Sequence, residues 1–199
     1  MISAIILAAG QSRRMGQPKM LLPWGNVSVL EHVISVFAAA GIEDILVITG
    51  AEQDQIEEAV ARSANRYPVR VVRNSAFPHG EMLSSLQCGL RALRPTENTA
   101  AALIGLGDQP HVQERSVRLV CEAFLRTKSK LVVPSFEMRR GHPWLVARPL
   151  WQDLLTLQNP KSPRDFLNSH ADDIHYVKVD TPSILADLDT PEDYRASHP

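Results

Sequence analysis

The chain has no apolar run of the ~18 residues needed to cross a bilayer, and no cationic segment precedes its short first apolar run. Neither a membrane span nor a secretory leader is expected, which makes the cytoplasm the expected compartment. There are two cysteines, Cys88 and Cys121, far apart and outside any metal or redox spacing. Each falls within an apolar helical pattern and is read as a packing residue. The formal net charge is −1, which gives no general attraction for nucleic acid or an anionic membrane. Two familiar phosphate loops are also missing. Gly10 and Gly16 are separated by five residues rather than four and are followed by Gln17-Pro18, so no Walker A loop is formed. No G-x-G-x-x-G occurs, which leaves a nicotinamide or flavin enzyme without its main support. A convincing Ser/His/Asp or Cys/His nucleophilic set is absent as well.

What remains is a soluble globular balance of 44% apolar and 22% charged residues over 199 positions, enough for one substantial core and expected to form a single domain, 1–199. Its most informative stretch is Ala4 to Lys19, AIILAAGQSRRMGQPK. An apolar run suited to a buried strand passes through Ala8-Ala9-Gly10 into a loop bearing Arg13, Arg14 and Lys19, and the first 30 residues contain no acid. Small side chains let backbone N–H groups approach phosphate oxygens, while guanidinium and ammonium groups neutralise them. A solvated turn after an edge strand is the alternative. Pro18 argues against a long helix directly after Gly10.

Further along, Ser28 and Glu31 form an S-x-x-E capping box before apolar residues at helical spacing, ending at Gly41. Strands are expected at 45–48 and 69–72, with a helix over 53–64 between them. This alternation is the βαβ pattern of a parallel sheet, so the expected class is doubly wound α/β. Residues 74–85 look like a turn-rich loop entering a helix over 84–93, where Ser84 and Ser85 would cap the helix or meet a ligand through its free N–H groups. His79 is read as a solvated loop histidine. A strand over 100–106 ends in Gly107-Asp108-Gln109-Pro110. Ligands in open α/β sheets collect beyond the carboxyl ends of strands, so Asp108 is the first candidate for a hard metal ion, although Asp before a turn also serves as an Asx turn or cap. A helix over 116–126, a strand over 131–134, the cationic turn Arg139-Arg140-Gly141-His142 and a strand near 145–146 follow. Helices near 150–157 and 163–169 are expected to cover one edge of the site; Ser162, Arg164 and Asp165 there either cap and solvate or bind. A last strand is expected at 176–179. Near the C-terminus, Pro191 with Glu192 and Asp193 forms an ordinary helix start, and Asp187 and Asp189 share a face if their segment is extended.

The run Leu7-Ala8-Ala9-Gly10-x-Ser12-x-Arg14-Met15-Gly16-x-x-Lys19 resembles the signature loop of the MobA-like nucleotidyltransferases, and Leu21-Leu22-Pro23-Trp24 is similar to their molybdenum cofactor cytidylyltransferase branch. Further anchors lie at Gly80, Met82, Ser84 and Ser85, at Asp108, at Gly141-His142-Pro143 and at Asp187-Leu188-Asp189-Thr190-Pro191. The resemblance implies a three-layer, Rossmann-like (GT-A-like) fold with a mostly parallel sheet. It implies nucleotide binding by Leu7, Ala8, Ala9, Gly10, Ser12, Arg14, Lys19, Gly80, Ser84 and Ser85, with Arg14 and Lys19 on phosphates and Arg13 more peripheral. Asp108 and Asp189 would hold Mg²⁺, with Mn²⁺ as an alternative ion and Asp187 as a further candidate ligand; Arg14, Lys19 and Asp108 are the expected catalytic set. Arg140, Gly141 and His142 would face the acceptor. The implied reaction transfers CMP from CTP to the terminal phosphate of molybdopterin cofactor. The protein is expected to act as a monomer, with transient contact to a molybdoenzyme or its chaperone. Competing readings are a nucleotidyltransferase using GTP or a sugar phosphate, and a non-catalytic nucleotide or cofactor carrier.

Overall fold

The computed structural model describes residues 1–10, 12, 14–50, 53–93 and 98–199, with 78–81 described for their backbone alone. Strand β1 (Ile2–Ala8) leads through a loop and a 3-10 turn (Lys19–Leu21) to the hairpin β2 (Pro23–Trp24) and β3 (Val27–Ser28). Helix α1 (Val29–Ala39), β4 (Ile45–Thr49), α2 (Gln53–Ala64), β5 (Val69–Arg73), α3 (Phe77–Leu93), β6 (Ala101–Leu106) and α4 (Glu114–Thr127) then alternate. The second half contains β7 (Leu131–Phe136), β8 (Arg139–Arg140), β9 (Trp144–Ala147), α5 (Trp151–Thr156), α6 (Pro163–Ser169), β10 (Ile174–Lys178) and α7 (Pro191–Ser197). Among the described residues no helix is long and apolar enough to cross a membrane.

The main sheet runs in the order β10-β7-β9-β6-β1-β4-β5, with β8 paired to β7. It is mostly parallel: β1 pairs β4 and β6, β4 pairs β5, and β7 pairs β10, all in parallel. Strand β9 is inserted antiparallel between β6 and β7. Successive side chains of a strand point to opposite faces, and from Ala4 to Ala8 β1 is apolar and buried throughout, so both faces of the sheet are buried. Ala4, Ile6 and Ala8 join a core with α1, α2 and α4, whereas Ile5 and Leu7 join a second core with α3, α5 and α6. Three layers result. Cys121 belongs to the first core and Cys88 packs against the second; both are free, and burial pushes the Cys121 thiol up to about 12.

The helix after β5 begins earlier than its sequence suggests. Pro78 and Gly80 give residues 74–85 the look of a loop, yet α3 starts at Phe77. Proline is tolerated in a first turn, where its missing N–H has no intrahelical partner. Packing favours the early start: a Cβ on Gly50, at the end of β4, would lie 2.7 Å from the Phe77 ring and 2.8 Å from the Ala9 Cβ. Gly80, Ser84 and Ser85 therefore lie within the helix, and the two serines do not cap it.

Candidate active site

The loop after β1 and the turn after β6 emerge side by side because Leu7 and Leu106 are register partners at the carboxyl ends of adjacent parallel strands. Gly107 N–H donates to the Leu7 carbonyl at 3.0 Å, locking the two exits together. Within the first loop, the Ser12 hydroxyl accepts from Lys19 N–H at 3.2 Å, which folds the loop back on itself and places Lys19 at the start of the 3-10 turn.

The Lys19 ammonium is mostly buried and lies 2.5 Å from Asp108 Oδ2 and 3.2 Å from Asp189 Oδ1. Burial works to lower its pKa, but the two carboxylates outweigh it and hold the ammonium above its ordinary value. Arg14 Nη2 reaches the other Asp189 oxygen at 2.9 Å while its side chain remains 69% exposed, leaving most of the guanidinium facing solvent. Two cations and two carboxylates thus alternate at one corner of a cavity of about 600 Å³, also lined by Leu7, Ala9, Gly10, Ser12, Met15, Met20, Phe77, Met82, Ser85 and Leu106.

The C-terminal acids are held there by one main-chain and one side-chain bond. Leu188 N–H donates to the Asp108 carbonyl at 3.0 Å, and Gln109 Nε2 donates to Asp187 Oδ1 at 2.5 Å. Burial pushes the Asp187 carboxyl up, against the Gln109 hydrogen bond. Asp189 directly precedes Thr190, the N-cap of α7, whose capping box with Asp193 fixes the turn, and Tyr194 anchors the helix by donating to the Pro23 carbonyl at 2.6 Å. Thr190 and Asp193 are therefore helix-start residues, while Asp189 is directed to Lys19 and Arg14.

A hard divalent ion takes oxygen ligands, commonly one or two carboxylates completed by substrate phosphates and water. Asp108 and Asp189 already converge on one cationic nitrogen, so this pair fits Mg²⁺ or Mn²⁺. Asp187 is instead engaged by Gln109. Ser84 and Ser85 both accept from the buried Asn74 amide, at 2.9 and 3.1 Å, and Ser85 remains in the cavity lining. Asn74, Gln109 and Phe77 were not singled out as site residues by sequence reasoning, and Met82 only as an anchor of the resemblance. Asn74 follows the carboxyl end of β5, the edge where α/β ligands gather, and Gln109 follows Asp108; those positions were the available signals. Arg13 and the His79 side chain lie outside the described residues.

Met82 also lines a second cavity of about 1090 Å³, so the two cavities adjoin. This one receives Arg139, Arg140, Gly141 and His142. Gly141 N–H donates to the Pro134 carbonyl and His142 N–H to the Ile184 carbonyl, each at 3.0 Å. A Cβ on Gly141 would lie 2.4 Å from the Ile184 carbonyl oxygen, and main chain cannot yield as a side-chain tip does. Gly141→Ala is expected to lower stability by about 1–3 kcal/mol, read as an unchanged urea slope with a lower midpoint.

Burial lowers the His142 imidazole from 6.5 to about 4. Between those values the unfolded chain binds the extra proton, so this histidine's contribution is retained above pH 6.5 and lost as pH falls towards 4. The expected loss is up to about 3 kcal/mol. Urea midpoints at pH 7 and 4.5 should fall more for the wild type than for His142→Asn; equal falls would exclude this cause.

The sequence profile of the MobA-like NTP transferase domain matches residues 4–174. The chain belongs to this family. Within the MobA-like setting, it is 28% identical over 193 residues to the molybdenum cofactor cytidylyltransferase of Escherichia coli K12, covering 97% of this chain and 93% of that protein. It is also 27% identical to the nicotine blue oxidoreductase of Paenarthrobacter nicotinovorans, covering 96% and 93%. Among solved structures, Rv0371c of Mycobacterium tuberculosis H37Rv superimposes with a TM-score of 0.82 at 27% identity, covering 98% of this chain and 95% of that one. Its manganese complex gives 0.77 at 25% identity, covering 98% and 96%.

Proposed function

We propose that this MobA-like protein transfers a cytidylyl group from CTP to the terminal phosphate of molybdopterin cofactor. The observation that carries the reading is the convergence of Asp108 and Asp189 on Lys19, beside Arg14, where one cavity adjoins another. An acceptor phosphate oxygen would bond to the α-phosphorus as the bond to the bridging oxygen breaks and pyrophosphate leaves. The nucleophile is already an anion, so the chain need not supply a strong base. Lys19 and Arg14 would neutralise the departing pyrophosphate, exchanging their carboxylate partners for phosphate oxygens. Asp108 and Asp189 would hold Mg²⁺ or Mn²⁺, which when bound supplies Lewis-acid polarisation of a phosphoryl oxygen. Gly10, Ser12 and Ser85 would border the nucleotide, and Arg140, Gly141 and His142 the acceptor.

The Escherichia coli relative supports the choice of CTP and molybdopterin, and the manganese complex of Rv0371c supports a divalent ion. We place the protein in the cytoplasm as a monomeric, single-domain enzyme, with transient contact to a molybdoenzyme or its chaperone. Purified protein with Mg²⁺ and molybdopterin should release pyrophosphate faster from CTP than from GTP. No release from either nucleotide would overturn the reading. The nicotine blue oxidoreductase relative gives a redox alternative its support despite the missing glycine fingerprint. Reduction of nicotine blue by a reduced nicotinamide, without pyrophosphate release, would favour that alternative.

A further inference from the structure

The larger cavity has an uneven charge. Arg139 and Arg140 enter it from β8, Lys161 from the turn before α6 and Arg164 from the first turn of α6, whereas no carboxylate is among the described residues that line it. None of these four cations has a salt-bridge partner among the described residues. Asp165, in the first turn of α6, caps the helix, its Oδ2 accepting from Ser162 N–H at 2.8 Å and from the Ser162 hydroxyl at 2.7 Å, and it attracts Arg164 and Lys161 without pairing within salt-bridge distance of either. Arg140 is held by neutral groups, donating to the Tyr176 hydroxyl at 2.9 Å and to Asn168 Oδ1 at 2.8 Å, with its guanidinium 5.6 Å from the centre of the Tyr176 ring. A guanidinium fixed without a counterion keeps its charge available for a ligand.

The rest of the lining mixes apolar side chains, including Met82, Leu83, Trp144 and Leu167, with the polar His142, Asn159, Ser162 and Asn168. Concave sites of this kind bury a ligand's body on apolar side chains and orient it through a few charged groups. We infer that Lys161 and Arg164 form, with Arg139 and Arg140, a cation clamp selecting an acceptor that carries a dianionic phosphate on a ring body with both apolar faces and hydrogen-bonding edges. This rests on the reading of the larger cavity as the acceptor side of the transferase. It assigns a binding role to a turn whose residues also serve as a helix start. It also disfavours neutral hydroxyl acceptors, which would leave the four cations with Asp165 as the one acid, among the described residues, acting on Lys161 and Arg164.

The test is the double variant Lys161→Gln/Arg164→Gln, since both side chains are exposed and Ser162 and Asp165 keep their cap. With molybdopterin as acceptor, its KM should rise at least tenfold, while the KM for CTP and kcat stay within twofold of wild type. An unchanged molybdopterin KM would overturn the clamp. Flavin mononucleotide, a phosphomonoester on a flat ring, gives a second readout independent of turnover. It should bind the wild type more tightly than riboflavin, and the double variant should lose at least tenfold of that affinity. If no pyrophosphate is released with any nucleotide, the transferase reading fails, but this loss of flavin mononucleotide binding would still support the clamp. Equal flavin mononucleotide affinity in both proteins, or no affinity in either, would refute it.

Discussion

Asp108→Ala is expected to reduce pyrophosphate release from CTP by at least about 10³-fold while leaving the fold intact. The loss follows from two functions meeting in one carboxylate. Asp108 is one of the two proposed metal ligands, and it also sets the position of Lys19 through the 2.5 Å contact. Removing one preorganised electrostatic group typically costs about 10²–10³-fold in rate, and loss of a metal ligand acts in addition. The fold should survive because the structural bond at this position is made by main chain. Leu188 N–H donates to the Asp108 carbonyl, which alanine retains. Circular dichroism and the urea midpoint should stay near wild type, and Mn²⁺ binding followed by electron paramagnetic resonance should weaken. Wild-type turnover in this variant would remove Asp108 from the mechanism.

Lys19→Ala is expected to lose about 2–4 kcal/mol of transition-state stabilisation, or about 10²–10³-fold in kcat/KM. In the structure the ammonium lies between Asp108 and Asp189, and it would turn to the departing pyrophosphate when nucleotide binds. Without it the two carboxylates repel each other with Arg14 as the remaining cation on Asp189. The variant should therefore bind a divalent ion at least as well as wild type, since a competing cation has been removed, yet turn over slowly. That opposite movement of ion affinity and rate separates this prediction from simple unfolding. A variant with wild-type kcat/KM would exclude Lys19 from catalysis. Replacement by arginine should restore little, because a planar fork does not reproduce a compact ammonium between two carboxylates.

Much of the architecture was legible from apolar runs. The continuous run Ala4–Leu7 required a strand buried on both faces, and the alternating helices supplied the layers that cover it. The cap at Ser28, the helix start at Pro191 and the turn after Leu106 were also readable, because each depends on residues close in sequence. The start of α3 was not. Pro78 and Gly80 suggest a loop by local preference, whereas the close approach of Phe77 to Gly50 is a tertiary contact that no local pattern records.

By itself, the sequence determined a doubly wound sheet, a basic loop after its first strand and an acid after a later one; these rest on periodicity and on chain neighbours. The tertiary structure decided which distant groups meet. Asp189 reaches Lys19 because the Leu188 backbone is bonded to Asp108 and α7 is anchored on Pro23. Strand β9, inserted antiparallel between β6 and β7, contributes Trp144 to the larger cavity, which adjoins the smaller one at Met82, and the start of α6 borders it with Lys161 and Arg164. Strand order and side-chain direction are properties of the packed sheet, so this pairing of charges existed only once the chain had folded.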